Sequence, residues 1–464
     1  MSDVPAAVVA GDLSGIDESE LHDWLVEQRW FASKSREVAH TNVLDAILLG
    51  ERDPLLTLLL VEVRFATGTH EVYQVPVGLR PAREQWDEGV ITELDGWTVY
   101  DALRDPAYGS RLLELIRADA DREAARFRYL PEGPGVPAGL EARPLDAEQS
   151  NSSLVFDDKL FLKAFRRLEA GENPELEMLH FLTSHGFANI APLAGWFEYE
   201  GRLIDATLGV VAGFLPSGRD GWELTLDELA SGSESLFDSL RELGAVTGEM
   251  HTRLGSDSTH AHFAPERPSA EALSLLVATL DEQIERVWNE LPGDNPALDP
   301  IRGRGQDVRE SLQGLSHVSA AGLQIRTHGD YHLGQTMLTE SGWVILDFEG
   351  EPAAPLSERR LKRSPLRDVA GMLRSFSYAA SAAGRMRDAA VPEDWEESAR
   401  SAFLEGYFGA VDDGLMPPGR QATKQLLAVF ELEKAVYELR YELNNRPDWV
   451  GIPVAGIQRL LEAA

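Results

Sequence analysis

The chain has 464 residues, a length that favours two or three packed units over one small domain. Apolar residues make up 43% of the sequence and charged residues 26%, which argues against a disordered or fibrous chain. The formal net charge of −34 argues against a nucleic-acid partner, because binding a polyanion needs an excess of Lys and Arg.

The sequence also argues against a membrane or secreted protein. The longest apolar stretch, residues 55–63, is too short to span a bilayer, and the first residues lack a secretory signal pattern. We therefore expect a cytoplasmic protein without a membrane partner. The chain contains no cysteine, so any metal must be held by oxygen or imidazole ligands, which suits Mg²⁺.

The N-terminal region combines one helix with several strands. Apolar residues at helical spacing predict a helix over residues 18–30. Alternating and continuous apolar patterns predict three strands, over 43–49, 55–65 and 70–77. We interpret residues 1–95 as an antiparallel N-terminal subdomain. A helical pattern over 98–118 then leads into the Gly/Pro-rich segment 131–140, which is typical of a linker or exposed loop.

The middle of the chain predicts a small sheet with one helix. The predicted elements are strands over 153–156, 159–165, 190–199 and 203–214 and a helix over 174–185. We assign residues 96–215 to this second part.

The C-terminal half is mostly helical in pattern. Apolar residues recur at steps of three and four over 236–254, 271–290, 367–384, 395–410 and 419–443. A strand-like hairpin over 337–348 interrupts this pattern. The sequence therefore predicts an α+β fold with a mostly helical part over residues 216–464.

The most informative segment runs from His328 to Glu349. Phosphoryl transfer from ATP needs a carboxylate that orients the acceptor and oxygen ligands for Mg²⁺. Asp330, Gln335 and Asp347 have the order and spacing of the base, amide ligand and strand-borne acid of protein kinases, with Gln in place of Asn. The combination predicts a kinase that uses ATP and Mg²⁺.

The polar side chains of this segment have expected roles. We predict that Asp330 accepts or orients the proton of the acceptor hydroxyl. Asp347 is the expected principal metal ligand, Gln335 completes the metal shell, and Glu349 adds a direct or indirect contact because residues two apart on a strand share a face. We expect His328 to fix the loop by hydrogen bonding.

A polar loop, residues 149–153, and a strand lysine are the candidates for nucleotide binding. The loop replaces the G-x-G-x-x-G loop of protein kinases, which does not precede Lys163, and its candidate phosphate-binding residues are Ser150, Asn151, Ser152 and Ser153. Lys163 interrupts an apolar strand, where a lysine needs a partner or a ligand. The basic runs 163–167 and 359–363 are local exceptions to the acidic composition, as an anionic nucleotide requires.

Aromatic and polar residues near the C-terminus are the candidates for the acceptor site. Lys434, Tyr437 and Tyr441 share one face of a predicted helix. Such a face suits a disaccharide, since sugar rings lie on aromatic surfaces and hydroxyls need hydrogen-bond partners. Trp449 is a candidate for closing this pocket, and His332 for approaching the acceptor. Helix-to-helix packing is the alternative role for the tyrosines.

Two motifs carry a family resemblance. HGDYHLGQ at 328–335 and DFEGEP at 347–352 resemble the aminoglycoside phosphotransferase-like kinases, and the continuation to residue 380 resembles the bacterial maltokinases. The similarity extends back to QRWFA at 28–32 and forward to NRPDW at 445–449, so it spans nearly the whole chain.

The resemblance implies a bilobal protein-kinase-like fold with an N-terminal cap subdomain and a helical C-lobe. It implies conversion of maltose to maltose 1-phosphate with ATP, feeding α-glucan and glycogen synthesis, and association with trehalose- and maltose-metabolising enzymes. It further implies that Lys163 contacts the α and β phosphates and pairs with a helix acid, for which Glu177 is favoured over Glu175.

Two alternatives stay open at this point. One is a kinase for glucosamine, another amino sugar or an aminoglycoside, since the acidic composition favours a cationic acceptor. The other is a catalytically silent kinase-like binding module, against which the complete set of Asp330, Gln335, Asp347 and Lys163 argues.

Overall fold

A computed structural model describes residues 4–9, 18–51, 54–145, 150–233, 235–313 and 321–463. The chain divides into two compact units, Met1–Pro216 and Ser217–Ala464. Finer division of the first unit at residue 95 stays a prediction.

The first unit contains most of the strands. Its helices are α1 (Val4–Val9), α2 (Glu18–Glu27), α3 (Pro106–Arg117) and α4 (Pro174–Ser184). Its strands are β1 (Val38–Gly50), β2 (Leu55–Phe65), β3 (His70–Pro81), β4 (Val90–Leu94), β5 (Trp97–Asp101), β6 (Asp121–Arg122), β7 (Ala125–Tyr129), β8 (Ala142–Leu145), β9 (Ser152–Phe156), β10 (Leu160–Ala164), β11 (Arg167–Leu168), β12 (Leu193–Glu200) and β13 (Asp205–Gly213).

The second unit is mostly helical. Its helices are α5 (Gly221–Ser231), α6 (Ser235–Leu254), α7 (Ala270–Asn289), α8 (Gly305–Gln313), α9 (Leu356–Arg359), α10 (Leu366–Met386), α11 (Trp395–Ala410), α12 (Arg420–Asn445) and α13 (Gly451–Ala463). Its strands are β14 (Arg219–Asp220), β15 (Thr336–Thr339) and β16 (Gly342–Ile345). The predicted α+β fold, with antiparallel sheets first and helices last, is confirmed.

The first sheet has the order β1-β2-β3-β5-β4 and is antiparallel. Leu21 and Leu25 of α2 join its apolar core, which explains the helical spacing of these residues. The predicted helix over 98–118 was wrong in its first part, because Thr98, Val99 and Tyr100 lie in β5. Since β4 and β5 pair with each other, a boundary at residue 95 would cut a hairpin.

The second sheet has the order β6-β7-β12-β13-β10-β9-β8. The predicted strands β9, β10, β12 and β13 are present, whereas β6, β7 and β8 were missed because they are short and flank the Gly/Pro-rich segment 131–140. Strand β10, which carries Lys163, lies between β13 and β9.

Arg166 and Gln74 connect the two sheets within the first unit. After β10 the chain adds the short strand β11 to the edge of β3. The Arg166 guanidinium, 1% exposed, donates to Ser152 Oγ at 2.7 Å, pairs with Asp101 and lies 4.7 Å from the Trp30 ring. Gln74 Nε2 donates to the Phe165 carbonyl at 2.6 Å. The start of β9 is therefore tied to the first sheet.

Helix α10 occupies the centre of the second unit. It packs against α5, α11, α12 and α13, and α6 packs against α11. The residues of α10 that are fully buried include Val369, Leu373 and Phe376. Among the described helices, none combines the length and apolarity that crossing a membrane requires.

Candidate active site

The loop from His328 to Gln335 precedes β15 and ends in a short 3₁₀ helix, Leu333–Gln335. His332 begins this helix, and its Nδ1 accepts the Gly334 N–H at 3.1 Å. Leu333 N–H donates to Ser375 Oγ of α10 at 3.3 Å. We call residues 328–335 the catalytic loop.

The buried carboxylate of Asp368 holds the start of the catalytic loop. It accepts the backbone N–H groups of His328 at 2.7 Å and Gly329 at 3.0 Å. His251 Nε2 lies 3.1 Å from the same carboxylate, and His251 Nδ1 lies 3.0 Å from the Tyr407 hydroxyl. Burial acts to raise the pKa of Asp368, but the His251 hydrogen bond and the nearby charges and N–H groups outweigh it and lower the pKa.

Sequence reasoning missed both Asp368 and His251 as parts of the site. The available signal was an acid in the first turn of LRDVAGML, directly before an apolar run, since a buried carboxylate needs hydrogen-bond donors. The pattern does not indicate which donors those are.

His328 joins the catalytic loop to the segment that follows β16. Its Nδ1 accepts the Asp330 N–H at 3.4 Å, so Nε2 carries the proton and donates to the Leu346 carbonyl at 2.8 Å. The expectation that His328 fixes the loop is confirmed by these contacts. They also bring the segment carrying Asp330 beside the segment carrying Asp347.

Glycines allow the close approaches of this loop. A Cβ on Gly329 would lie 3.3 Å from the Gly350 Cα, and both glycines have positive φ, 87° and 76°. A Cβ on Gly371 of α10 would lie 2.6 Å from the Tyr331 carbonyl oxygen. Asp347 itself has φ 59°, a left-handed conformation that Asp adopts more readily than most residues.

The predicted metal-binding residues lie together. Gln335 Nε2 donates to Asp347 Oδ2 at 3.1 Å, and carboxylate oxygens of Asp347 and Glu349 lie within 4.8 Å of each other. Glu349 lies in a turn beyond β16, so the strand argument for a shared face was wrong although the two carboxylates are close. Two carboxylates and an amide, which offers its oxygen after a 180° rotation, fit the ligand preference of Mg²⁺.

Two cationic or titratable side chains flank Asp330. Lys434 Nζ lies 3.8 Å from Asp330 Oδ1, and His332 Nε2 lies 3.9 Å from Oδ2. Desolvation lowers the pKa of His332, and the charges of His328 and Lys434 add to this effect while Asp330 opposes it. These contacts place His332 and Lys434 beside the predicted catalytic base.

Helix α12 presents the predicted acceptor residues on one face. Lys434 Nζ lies 5.3 Å from the Tyr437 ring, and the tyrosines are part exposed, Tyr437 by 36% and Tyr441 by 44%. Burial, with the charge and hydrogen bond of Glu351, raises the pKa of Tyr437 to about 12, so the phenol is a hydrogen-bond donor at neutral pH. The exposed parts of both rings remain accessible to a ligand, in contrast to rings packed between helices.

The adjoining, buried face of α12 is held by ion pairs. Arg374 of α10 donates to Glu438 at 2.8 and 3.0 Å, and Arg400 of α11 binds Glu431 at 2.8 and 2.9 Å. Charge-assisted paired hydrogen bonds of this kind fix the rotation of a helix.

Trp449 packs at the end of α12. Its ring stacks on Tyr378 with centroids 6.3 Å apart, and the Arg446 guanidinium lies 5.3 Å from both Trp449 and Tyr441. The buried Glu442 carboxylate accepts from Arg446 at 2.7 Å and from Tyr378 at 3.0 Å. Arg446 thus links Trp449 to the Tyr441 end of the acceptor face.

The predicted phosphate loop lies at the start of β9 in the first unit. Ser150 and Asn151 precede the strand, and Ser152 and Ser153 begin it, with Ser153 opposite Lys163 in the sheet. Ser153 Oγ is buried without a hydrogen-bond partner among the described residues. Gln149, the first residue of the predicted loop, lies outside the described residues.

Lys163 forms a buried ion pair. Its Nζ lies 2.7 Å from Glu175 Oε2, and each side chain is 9% exposed. The sequence favoured Glu177 and kept Glu175 as the alternative, and the ion pair observed is with Glu175, which α4 in the folded unit brings to β10. Glu177 is also buried, at 4%.

Comparisons with known proteins agree with this architecture. Residues 24–105 match the family model described as the maltokinase N-terminal cap domain. A glucosamine kinase of Mycolicibacterium smegmatis (strain ATCC 700084 / mc(2)155) is 27% identical over 333 residues, which cover 69% of this chain and 79% of that protein. A glucosamine kinase of Streptacidiphilus jiangxiensis is 25% identical over 413 residues, covering 80% and 88%.

The fold has solved counterparts. A glucosamine kinase in complex with glucosamine, ADP and inorganic phosphate superposes with a TM-score of 0.72 at 18% identity, covering 95% of this chain and 98% of that one. A second crystal form of a glucosamine kinase gives 0.71 at 20% identity, covering 97% and 98%. The chain therefore has a kinase-like α+β fold. With its cap match it is a maltokinase-like protein, as the motifs predicted, and the comparisons support a kinase as the enzyme class.

Proposed function

We propose that this chain is an ATP-dependent sugar kinase and that maltose is its acceptor, with maltose 1-phosphate as the product. The observation that carries the proposal is the catalytic loop itself. His328 ties the segment bearing Asp330 to the segment bearing Asp347 and Glu349, so the segment with the proposed base adjoins the segment with the two proposed metal-binding carboxylates.

Asp330 accepts the proton of the sugar hydroxyl in this proposal. A positioned base contributes ~10²–10⁴ in rate. The Asp330 carboxylate is part exposed, at 24%, and can therefore meet an incoming hydroxyl. His332 and Lys434 orient the acceptor and the carboxylate around the reacting oxygen.

Asp347, Glu349 and Gln335 are the residues that would hold Mg²⁺. The bound cation would neutralise charge on the transferred phosphoryl group. Lys163, paired with Glu175, and residues Ser150 to Ser153 are proposed to bind the phosphates of ATP.

Two observations support a sugar as the acceptor. The cap match indicates likeness to the maltokinases, and the exposed rings of Tyr437 and Tyr441 provide surfaces on which sugar rings pack. A second candidate acceptor is glucosamine, because the two relatives described above are named glucosamine kinases.

The test is incubation of purified protein with Mg²⁺ and ATP and, separately, maltose, glucose, glucosamine or kanamycin, with the products identified by NMR. We expect a phosphate on the anomeric oxygen of maltose. Phosphorylation of glucosamine with maltose untouched would overturn the maltose assignment. Failure to phosphorylate any acceptor, with ATP binding intact, would favour a silent kinase-like binding module instead.

A further inference from the structure

We propose that Lys434 selects the acceptor by charge, so that neutral sugars are admitted beside Asp330 and cationic amino sugars are disfavoured. This inference rests on the proposed function, in which Asp330 receives the proton of a sugar hydroxyl. It goes beyond that function by assigning a specificity role to one residue and by choosing between the two acceptor classes.

The position of the lysine is the first step. Lys434 Nζ lies 3.8 Å from Asp330 Oδ1, and its side chain is 34% exposed. A sugar whose hydroxyl reaches Asp330 must therefore pass within a few ångströms of this ammonium group. The ammonium group of an amino sugar would lie close to the Lys434 ammonium. Repulsion between these two positive charges lowers the affinity for the amino sugar.

Other cations lie near this face besides the lysine. Arg440 lies close enough to Tyr437 to lower the pKa that burial and Glu351 raise, and Arg446 lies 5.3 Å from the Tyr441 ring. The acceptor face of α12 thus carries several cations along its length.

The carboxylates near the acceptor face already have partners. Glu351 is hydrogen-bonded to Tyr437, and the buried Glu442 binds Arg446. Asp330 is the proposed base, while Asp347 and Glu349 are the proposed metal ligands. Among the described residues, then, an amino sugar would compete for carboxylates that are already engaged.

A neutral sugar gains from the same arrangement. Lys434 offers N–H donors to hydroxyl oxygens, and the adjoining tyrosine rings offer surface to the apolar faces of the sugar. Tyr441 lies one helical turn beyond Tyr437, so the aromatic surface extends away from Asp330. This extension suits an acceptor with a second ring, and maltose is such an acceptor.

The experiment compares glucose with glucosamine, which differ at one substituent, and includes maltose as a third acceptor. We expect wild-type kcat/KM to favour glucose over glucosamine by at least about tenfold. Lys434→Gln should reduce this ratio toward unity, and Lys434→Arg, which keeps the charge, should preserve it. Lys424→Gln is the matched control, because it removes the same charge from the same helix about 15 Å along the axis from Lys434.

The pH dependence provides a second readout. When the pH is raised above the pKa of the glucosamine amine, the wild-type rate with glucosamine should rise relative to the rate with glucose. Lys434→Gln should show a smaller rise. Thermal unfolding of each variant verifies that it folds.

The outcomes separate the two hypotheses. A wild-type preference for glucosamine, or a ratio that Lys434→Gln leaves unchanged, would overturn the charge selection while the sugar kinase stands. If wild-type protein phosphorylates none of the three sugars, the proposed function fails and the selection by Lys434 fails with it.

Discussion

Asp368 accepts the backbone N–H of His328 at 2.7 Å, although the two residues are 40 positions apart in the chain. The bond connects the first buried turn of α10 to the first residue of the catalytic loop. Because Gly329 N–H donates to the same carboxylate at 3.0 Å, the backbone immediately before Asp330 has a fixed course. The position of the proposed base thus depends on a residue that has no part in the chemistry.

Replacing Asp368 by Asn tests this dependence. The amide presents one acceptor oxygen where the carboxylate presents two, so a buried N–H of the loop or His251 loses its partner. We expect a loss of about 1–3 kcal/mol in the free energy of unfolding and a fall in kcat larger than any change in the KM for ATP. Denaturant unfolding and steady-state kinetics measure both. Asp394→Asn, an exposed acid before α11, serves as the control.

The low pKa of Asp368 predicts how stability changes with pH. A carboxyl group whose pKa is lower in the folded than in the unfolded protein stabilises the fold above its unfolded pKa of about 3.9. That contribution is lost as the pH falls through the lower, folded value. Asp368→Asn should therefore flatten the acid limb of the curve of unfolding free energy against pH. An unchanged acid limb would contradict the assignment.

Asp330→Asn tests the proposed base directly. The amide keeps the size of the side chain but accepts no proton, so we expect kcat to fall by ~10²–10⁴. Nucleotide affinity, measured by calorimetry with ADP, should stay near the wild-type value. Near-normal turnover in this variant would exclude Asp330 as the base.

Tyr441→Ala tests the acceptor face. Removing the exposed ring deletes a packing surface for the distal part of the acceptor, so the KM for maltose should rise about tenfold, equivalent to about 1.4 kcal/mol. The KM for ATP should not change. Phe408→Ala, which removes another ring of comparable exposure, 41%, from α11, is the matched control. Equal effects of the two variants would argue for a general loss of packing.

Arg166→Met tests the connection between the two sheets of the first unit. The substitution leaves Asp101 buried without its guanidinium partner, and breaking such a pair costs about 3–5 kcal/mol. Arg143→Met breaks an exposed pair with Asp158, for which we expect a loss below about 1 kcal/mol. Chemical denaturation of the two variants compares these losses. A similar small loss in both would show that the Arg166 pair adds little to stability.

The sequence predicted the parts of the site that are close together in the chain. Asp330, Gln335 and Asp347 were found because their spacing follows from one loop and one hairpin, and β2 and α11 were predicted with the observed bounds. Contacts of His328 and Gln335 bring the segments that carry Asp330, Gln335 and Asp347 together, whereas the chemical roles of these three residues stay predictions.

The sequence pattern could not predict contacts between residues that are far apart in the chain. His251 lies 117 residues from Asp368, and no periodicity relates the two. The choice of Glu175 as the partner of Lys163 depends on the orientation of α4, which its sequence alone does not define. The strand β5 was read as helix because Ala102 and Leu103 follow its apolar residues at short spacing and lead into α3.

The two faces of α12 have a consequence for how this protein changes over evolution. Ion pairs to α10 and α11 lock the inner face, and α10 is also the helix that holds the catalytic loop. The exposed residues Tyr437 and Tyr441 of α12 take no part in these ion pairs. In the proposed function, outward-facing side chains of α12 can therefore be exchanged one at a time to suit another acceptor, while the contacts that hold the catalytic loop stay unchanged.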